Sequence, residues 1–344
     1  MIHRTSARTL VPVLLVVVSL VLLGSVASYG QAEKAFKGKV LEFWCPYNVG
    51  GGFDTYSRAV AKHISKYLPV RAAIVKNVIG GGGLTGTNKL YAARPDGLTI
   101  GIVNGAGMIF NQVMGTPAAK FDLTQMAWLG RIAYEPHVIV VGPKSPFKTI
   151  DDVRKAGRTV VFSATGLGSD DFLGAAVIAE ALGFQLKQVV GFETSTECNL
   201  AVIKGDVDGT EAGLDTLMPL IKAKDVIPVL QVALERDPAL PDVPTALEVV
   251  PADKKPMVVA ISNTFVFDRA VGGPPKIPQD RVKMLREAMD KVLHDEKFLG
   301  ELEKRGRRVI SLEGEKMEAL IKECMQAAGT IKPVLKKAVE SQQR

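Results

Sequence analysis

The fold is decided by residues 40–67, which read VLEFWCPYNVGGGFDTYSRAVAKHISKY. Val40–Pro46 is an apolar run of strand length, and it is followed by a glycine-rich turn at Asn48–Gly52. Apolar side chains then recur at helical spacing through Asp54–Tyr67, which predicts a helix. A strand, a glycine turn and a helix in succession are typical of the first unit of an α/β fold.

The same alternation continues along the chain in two sets. In the first set, strands are predicted at Arg71–Val78 and Leu98–Val103, with a helix at Thr85–Ala93 between them. A second set of strands is predicted at Val138–Val141, Thr159–Ala164, Gln188–Phe192, Val207–Glu211 and Val226–Val232. Further helices are predicted at Ile150–Ala156, Asp170–Leu182, Glu197–Lys204, Asp215–Ala223, Gln279–His294 and Gly314–Val339.

Two such sets, with long helices that return at the end of the chain, predict an α/β fold of two lobes. Each lobe is expected to be a mainly parallel sheet flanked by helices, with a ligand cleft between the lobes. Residues 33–135 and 255–344 are assigned to the first lobe, and residues 136–254 to the second. The Gly- and Pro-rich segment Phe267–Pro278 is predicted to be a loop.

Residues 1–32 have the pattern of a secretory signal peptide. Arg4 and Arg8 precede the uncharged apolar run Leu10–Leu23, and small residues follow it. The run is shorter than the ~20 residues that span a bilayer, so cleavage is favoured over a retained membrane anchor. Cleavage after Ala27 or after Ala32 fits equally well, and the mature protein is expected in the periplasm.

Composition excludes several classes of protein. The net charge is +7, but the basic residues are spread through helices and do not alternate with aromatic ones, so nucleic-acid binding is not expected. Four scattered histidines and three cysteines, Cys45, Cys198 and Cys324, form no metal-binding spacing. Whether two of these thiols pair is not decided by the sequence. No cofactor and no metal are expected.

The glycine turns are the candidate binding elements. In an open α/β sheet, ligands bind beyond the carboxyl ends of the strands, where helix N-termini offer free N–H groups to anions. Asp54 after the first turn either caps its helix or contacts ligand, and Ser169 in the turn Thr165–Ser169 is open to the same two interpretations. Asn104 and Gly105 follow the third strand at a similar place.

An enzyme is a weaker alternative. Gly81, Gly83 and Gly86 match the dinucleotide-binding fingerprint, but no acidic residue follows about 20 positions later to hold a ribose. No nucleophile elbow is present, and the adjacent pairs Asp151-Asp152 and Asp170-Asp171 are interpreted as helix caps or solvated charge. A binding protein without catalytic activity is therefore predicted.

The turns carry a resemblance to the substrate-binding receptors of tripartite tricarboxylate transporters, also called the Bug family. Five stretches are similar to family motifs in order and spacing: Pro46–Asp54, Asn77–Gly86, Pro95–Ile100, Gly166–Ser169 and Leu240–Thr245. The resemblance covers nearly all of the mature chain. It implies a two-lobed periplasmic-binding-protein fold that holds a small organic carboxylate and delivers it to a large and a small membrane subunit, with the receptor as a monomer.

By position, the resemblance places ligand-binding residues on both lobes. The first lobe would contribute Tyr47, Asn48, Gly51 and Asp54, with Asn104 and Gly105 behind them, and the second would contribute Thr165, Gly168, Ser169 and Phe192. The chain departs from the family at Phe172, where His is common, and at Glu193, where Lys is common. An acid near a carboxylate site disfavours binding unless it faces water, so a ligand with an amine or with fewer charges is one expectation. A ligand sensor for a signalling partner remains an alternative to transport.

Overall fold

The structure is a computed structural model that describes residues 30–326 and four isolated positions further on. Most of the predicted signal peptide (residues 1–29) and the predicted end of the last helix lie outside the described residues. Residues 30–36 are helical, and Ala32 and Phe36 are buried in the core of the first lobe. Among the residues that the structure describes, no helix has both the length and the apolarity to cross a bilayer.

The described chain alternates strands and helices through most of its length. The strands are β1 (Val40–Cys45), β2 (Ala72–Asn77), β3 (Thr99–Val103), β4 (Ala127–Arg131), β5 (His137–Val141), β6 (Val160–Ala164), β7 (Leu186–Val190), β8 (Gly209–Gly213), β9 (Ile227–Val232), β10 (Ala270–Gly273) and β11 (Leu312–Glu313). The α-helices are α1 (Gly52–Ile64), α2 (Leu84–Tyr91), α3 (Gly105–Met114), α4 (Ile150–Arg154), α5 (Asp170–Leu182), α6 (Ser195–Lys204), α7 (Leu214–Ala223), α8 (Ala246–Val249), α9 (Lys255–Phe265), α10 (Gln279–Leu293), α11 (Glu296–Lys304) and α12 (Gly314–Gln326). Short 3₁₀ turns lie at Gly81–Gly83 and Ala252–Lys254.

Two sheets form the centres of the two lobes, and the predicted two-lobed α/β class is confirmed. The first sheet has the order β11-β4-β10-β3-β1-β2, and the second has the order β7-β6-β8-β5-β9. Both sheets are mixed rather than mainly parallel. The parallel pairs are β1 with β2 and β3, and β6 with β7 and β8. Strands that enter from the other lobe, β5 and β10, pair antiparallel with their neighbours.

The segment Phe267–Pro278 was expected to be a loop, and this prediction is wrong for residues 270–273. β10 lies inside the first sheet between β3 and β4, and all its residues are buried. A Cβ on Gly272 would lie 3.1 Å from the Trp128 ring, so the strand needs glycine where this large side chain packs against it. Gly272 therefore marks a close approach of the Trp128 ring to the strand and not a turn.

The chain crosses between the lobes at residues 132–136 and 266–269, which we call the hinge. The two segments lie side by side, because the Ile132 amide donates to the Arg269 carbonyl at 3.1 Å. α9 packs on α5 in the core of the second lobe, with Val258 and Ile261 buried there. The lobe boundary after residue 254 stays a prediction, and this packing favours a boundary after Phe265.

Candidate functional site

A cavity lies between the lobes, where four helices begin. Its wall includes Gly51–Phe53 at the start of α1, Asp170 and Asp171 in α5, Thr194 and Ser195 at α6, and Gly213 and Thr216 at α7. Tyr47, Thr165, Ala212 and Arg269 complete it. The cavity volume is about 40 Å³, which is room for a few water molecules. Helix N-termini present N–H groups and partial positive charge, so their convergence favours an anionic group.

The start of α1 is open. Its N-cap residue is Gly51, and no side chain caps the first turn. The Asp54 carboxylate is turned to the preceding loop, where it accepts from the Gly50 amide at 3.1 Å and from Arg58 Nε at 2.8 Å. Hydrogen bonds from Arg58 and Asn77 lower the pKa of Asp54 against the opposing effect of its burial. The first N–H groups of α1 are therefore left for a ligand.

The start of α5 is filled by its own carboxylate. Asp171 accepts from the Thr165 amide at 2.7 Å, from Thr165 Oγ1 at 3.0 Å and from the Phe172 amide at 2.9 Å, and Ser169 Oγ donates to it as well. Burial raises the pKa of Asp171, although these hydrogen bonds oppose that shift. The loop donors predicted to hold a ligand are thus engaged within the chain.

Asp170 also borders the cavity, and its carboxyl group is less well satisfied. Oδ1 accepts from Asn104 Nδ2 at 2.7 Å, and the same amide group donates to the Tyr47 hydroxyl at 2.6 Å. The nearest basic group to Oδ2 is His137 Nε2 at 3.7 Å. Burial and the negative charge of Asp268 raise the pKa of Asp170 to about 7. This acid is therefore a proton acceptor near neutral pH.

Arg269 brings a buried positive charge to the cavity wall, and Arg307 lies close by, where its Nη1 donates to Thr216 Oγ1 at 2.8 Å. The Arg269 guanidinium group pairs with Glu135 and, at 3.2 Å, with Asp268, and it lies 4.6 Å from the centre of the Phe53 ring. The side chain is only 4% exposed, and its Nε has no hydrogen-bond partner. Arg269 has φ +52°, a left-handed conformation that is uncommon outside glycine. A buried arginine held in this way is typical of a functional position.

A buried ionisable network lies behind Asp170. His137 contacts Glu211 at 2.8 Å and Asp268 at 3.1 Å, and its ring stacks on Phe265. Burial lowers the pKa of His137, but the Glu211 charge and the bonds to Asp268 and Glu211 raise it well above the ordinary value. Burial raises the pKa of Glu211 to about 8. One nitrogen of His137 and one oxygen each of Asp170 and Asp268 lie within 4.8 Å of one another, the spacing of a metal site, but these atoms are engaged mainly with each other.

Seven of the ten sequence-predicted site residues lie at or near the cavity, in three groups. Tyr47, Gly51 and Thr165 line the cavity. Asn104, Gly168 and Ser169 stand directly behind it: the Gly168 carbonyl accepts from Asn111 Nδ2 at 3.2 Å, across the lobe boundary. Asn48 lies at the cleft rim, where Nδ2 donates to Glu193 of the other lobe. Glu193 is exposed at this rim, so its charge faces water.

The remaining three predicted residues do not line the cavity. Asp54 points toward Arg58 and Asn77. Gly105 packs against the Phe267 backbone, where a Cβ would collide with the carbonyl oxygen. Phe192 is half-buried against the core of the second lobe. All three lie near the ends of strands or helices, as predicted, but their local contacts and packing turn them away from the cavity.

The most important residues that the sequence reasoning missed are Asp170, Asp171 and Arg269. The two acids were interpreted as caps or solvated charge, whereas they are buried at 8% and 6% exposure. Arg269 lies in the segment interpreted as a loop. The only signal in the sequence is weak: Asp268 and Arg269 form a charged pair between apolar residues on both sides.

Gly82, which lies within the dinucleotide-like stretch, and Gly166 of the second-lobe turn meet across the cleft. A Cβ on Gly82 would lie 3.0 Å from Ser169 Cβ, and a Cβ on Gly166 would lie 2.7 Å from the Gly82 amide. The two turns thus meet backbone to backbone across the cleft. These glycines permit the lobes to close on each other.

Comparison with known proteins agrees with the fold. A family model described as the tripartite tricarboxylate transporter family receptor matches residues 56–336. Two curated relatives are each 27% identical to the chain: a UPF0065 protein from the tcbD-tcbE intergenic region of Pseudomonas sp. (strain P51), over 222 residues, and a UPF0065 protein of Bordetella bronchiseptica, over 207 residues. The matches cover 63% and 59% of this chain and 65% and 60% of the relatives' length.

Solved structures show the same fold. The periplasmic binding protein BugD aligns with a TM-score of 0.73 at 22% identity, over 87% of this chain and 98% of that protein. MatC from Rhodopseudomonas palustris with bound malate aligns with a TM-score of 0.70 at 19% identity, over 86% of this chain and 99% of that protein. An R. palustris protein with adipate aligns with a TM-score of 0.71 at 19% identity, over 86% of this chain and 97% of that protein. With a family match across most of its length and this architecture, the chain belongs to the tripartite tricarboxylate transporter receptor family.

Proposed function

We propose that this protein is a periplasmic receptor that captures a small organic carboxylate between its lobes and delivers it to the large and small membrane subunits of a transporter. The observation that carries the proposal is the convergence of four helix starts, from both lobes, on one cavity. A ligand that touches both lobes is bound fully only in the closed form, so binding shifts the balance toward closure. No step of this cycle requires a chemical reaction.

The relatives support the ligand class. Malate and adipate, the ligands named for two structures of similar fold, are both small organic carboxylates. In this chain the open N-terminus of α1, with Arg269 beside it, offers one carboxylate a place with free N–H donors. Tyr47 and Asn104 add a fixed hydrogen-bonded pair at the same wall.

Ligand binding is tested by calorimetry and thermal shift on the mature protein with a panel of mono- and dicarboxylates that includes malate and adipate. A ligand that binds the folded form stabilises it, by about 2.7 kcal/mol at a hundredfold excess over Kd. We expect at least one panel member to raise the melting temperature and to compact the protein in small-angle scattering. If no carboxylate changes either quantity, the proposed function is wrong.

Delivery is tested separately. The receptor and the two membrane subunits encoded nearest to it would be reconstituted in vesicles, and uptake of the confirmed ligand would be measured. We expect uptake to require all three proteins. Uptake that is independent of the receptor would favour the sensing role instead.

Export is tested at the N-terminus of the protein recovered from the periplasm. Because Ala32 is fully buried in the core of the first lobe, cleavage after Ala27 retains this contact and cleavage after Ala32 removes it. We expect intact mass measurement to give a chain that begins at Ser28. A chain that begins at Glu33 would contradict this prediction.

A further inference from the structure

The second-lobe wall of the cavity already contains a carboxylate, which is that of Asp171. The two amide groups and two hydroxyl groups nearest to it, from Thr165, Ser169 and Phe172, all donate to this side chain. A second carboxylate from a ligand would find these donors engaged. It would also meet the charge of Asp171 at short range, where like charges disfavour each other strongly.

Asp170 makes the same wall more acidic. Its Oδ1 is satisfied by Asn104, but among the described residues no donor lies within hydrogen-bonding distance of Oδ2. His137 is the nearest cation at 3.7 Å, and its two nitrogens are taken up by Glu211 and Asp268. Asp170 therefore offers a ligand an acceptor that lacks a full partner.

The first-lobe wall has the opposite character. The start of α1 is uncapped, and Arg269 lies next to it, because its Nη2 is 3.7 Å from the position that a Cβ on Gly52 would take. The Nε of this almost fully buried guanidinium group has no hydrogen-bond partner. One anionic group fits here, between free N–H donors and a buried cation.

The two acids that border the cavity lack a full ionic partner. The neighbouring buried cations, Arg269 and His137, are paired with carboxyl groups outside this wall. Among the described residues, Asp171 has no ion-pair partner, and Asp170 has only His137 at 3.7 Å. A positively charged group of a ligand would pair with these two acids. The cavity is small, so this charge would lie only a few atoms from the carboxylate of the same ligand.

We propose, on the basis of the proposed function, that the ligand is a small zwitterion with one carboxylate and one primary ammonium group. The carboxylate lies at the start of α1 beside Arg269, and the ammonium group lies at Asp170 and Asp171. Asp171 takes the place that the second carboxylate of a diacid would occupy. Selection of the ligand thus rests on two consecutive acids at the start of α5.

The test uses pairs of compounds that differ only by the amine: L-alanine with propanoate, and L-aspartate with succinate. Calorimetry on the mature protein at pH 7.5 is expected to show binding at least tenfold tighter for the amine-bearing member of the pair that fits the cavity. Asp170→Asn keeps the shape and removes the charge, and it should reduce this preference at least tenfold. Asp253→Asn, an exposed acid of the 3₁₀ turn Ala252–Lys254, is the matched control and should leave the preference unchanged.

A second variant tests Asp171 in the opposite direction. Asp171→Ala frees the Thr165 and Ser169 donors, so affinity for succinate should rise at least tenfold. Circular dichroism and a melting curve establish that this variant is folded. If it does not fold, the Asp170→Asn result still decides the proposal.

The outcomes separate the two proposals. If malate, succinate or adipate binds and no amine-bearing compound binds more tightly than its partner, the zwitterion proposal is wrong and the carboxylate receptor stands. The same holds if the amine is preferred but Asp170→Asn does not reduce that preference. If no compound with a carboxylate binds, the proposed function itself is wrong.

Discussion

The starts of α1 and α5 occupy equivalent places in the two lobes, yet they have opposite properties. Each follows a parallel strand and a glycine turn, and each borders the same cavity. The start of α1 is bare and lies beside Arg269, whereas the start of α5 is occupied by the Asp171 side chain. A glycine turn before a helix therefore identifies where a ligand would lie. The side chain within the first turn decides whether the donors are free.

The largest expected effect comes from the charge beside α1. Arg269→Met leaves Glu135 buried without its cation and Asp268 with His137 alone, and breaking a buried pair in this way costs about 3–5 kcal/mol. We expect urea unfolding to show a loss of this size. Arg154→Ala removes an exposed pair with Asp151 and should cost less than about 1 kcal/mol. Equal losses in the free energy of unfolding for both variants would mean that the buried pairs of Arg269 stabilise the fold no more than an exposed ion pair does.

The buried acids near the start of α5 predict that the stability of the protein depends on pH. The pKa of Asp170 is raised from 3.8 to about 7, and that of Glu211 from 4.5 to about 8. The pKa of His137 is raised as well. The charged groups that face these three residues are Asp171, Asp268 and Arg269. The folded state therefore binds more protons than the unfolded chain between these values, and its stability falls as the pH rises from about 5 to 8. We expect a loss of at least about 1.4 kcal/mol, the equivalent of one pKa unit.

Denaturation curves at several pH values check this dependence. Glu211→Gln removes one of the titrating groups and should flatten the slope. The acids with lowered pKa, such as Glu301 and Asp54, titrate below this window and do not interfere. Stability that is constant or rises between pH 5 and 8 would contradict the prediction.

Closure of the two walls is tested at the glycine turns. Gly82→Ala places a methyl group 3.0 Å from Ser169 across the cleft, while Gly157→Ala adds one in open space at nearly the same φ, +65° against +61°. Both variants carry the same backbone strain, so they should lose similar stability. Only Gly82→Ala should weaken binding of a confirmed ligand, by about tenfold, which is about 1.4 kcal/mol. Equal affinities in calorimetry would show that the lobes need not approach this closely.

The smallest effect is expected at the rim of the cleft. Asn48 meets Glu193 of the other lobe in an exposed contact, and such contacts contribute about 0.2–1 kcal/mol. Asn48→Ala should therefore change ligand affinity by less than about fivefold. A loss above tenfold in calorimetry would mean that Asn48 touches the ligand, as the resemblance to the family implied.

The sequence predicted the elements better than the directions of their side chains. The bounds of α5 were predicted correctly, because its apolar period and its Gly183 end are local signals. β10 was missed because its Gly272 fits against Trp128, which is 144 positions away in the sequence. The ion pair of Arg269 with Glu135 joins the two hinge segments, which are far apart in the sequence, so no local pattern predicts it. Asp171 was interpreted as a cap or as solvated charge. Its carboxylate accepts from the Phe172 amide in the first turn of α5, but it is buried beside the cavity, which no local pattern indicates.

The contact between Gly82 and Gly166 has a consequence for the energetics of opening. Two turns without side chains touch there, so no rotamers are frozen when they meet and little apolar surface is hidden. That contact by itself neither latches the receptor shut nor props it apart. The balance between open and closed forms is therefore set by the polar contacts around these turns, such as Asn104 with Asp170 and Asn111 with Gly168, together with whatever lies between the lobes.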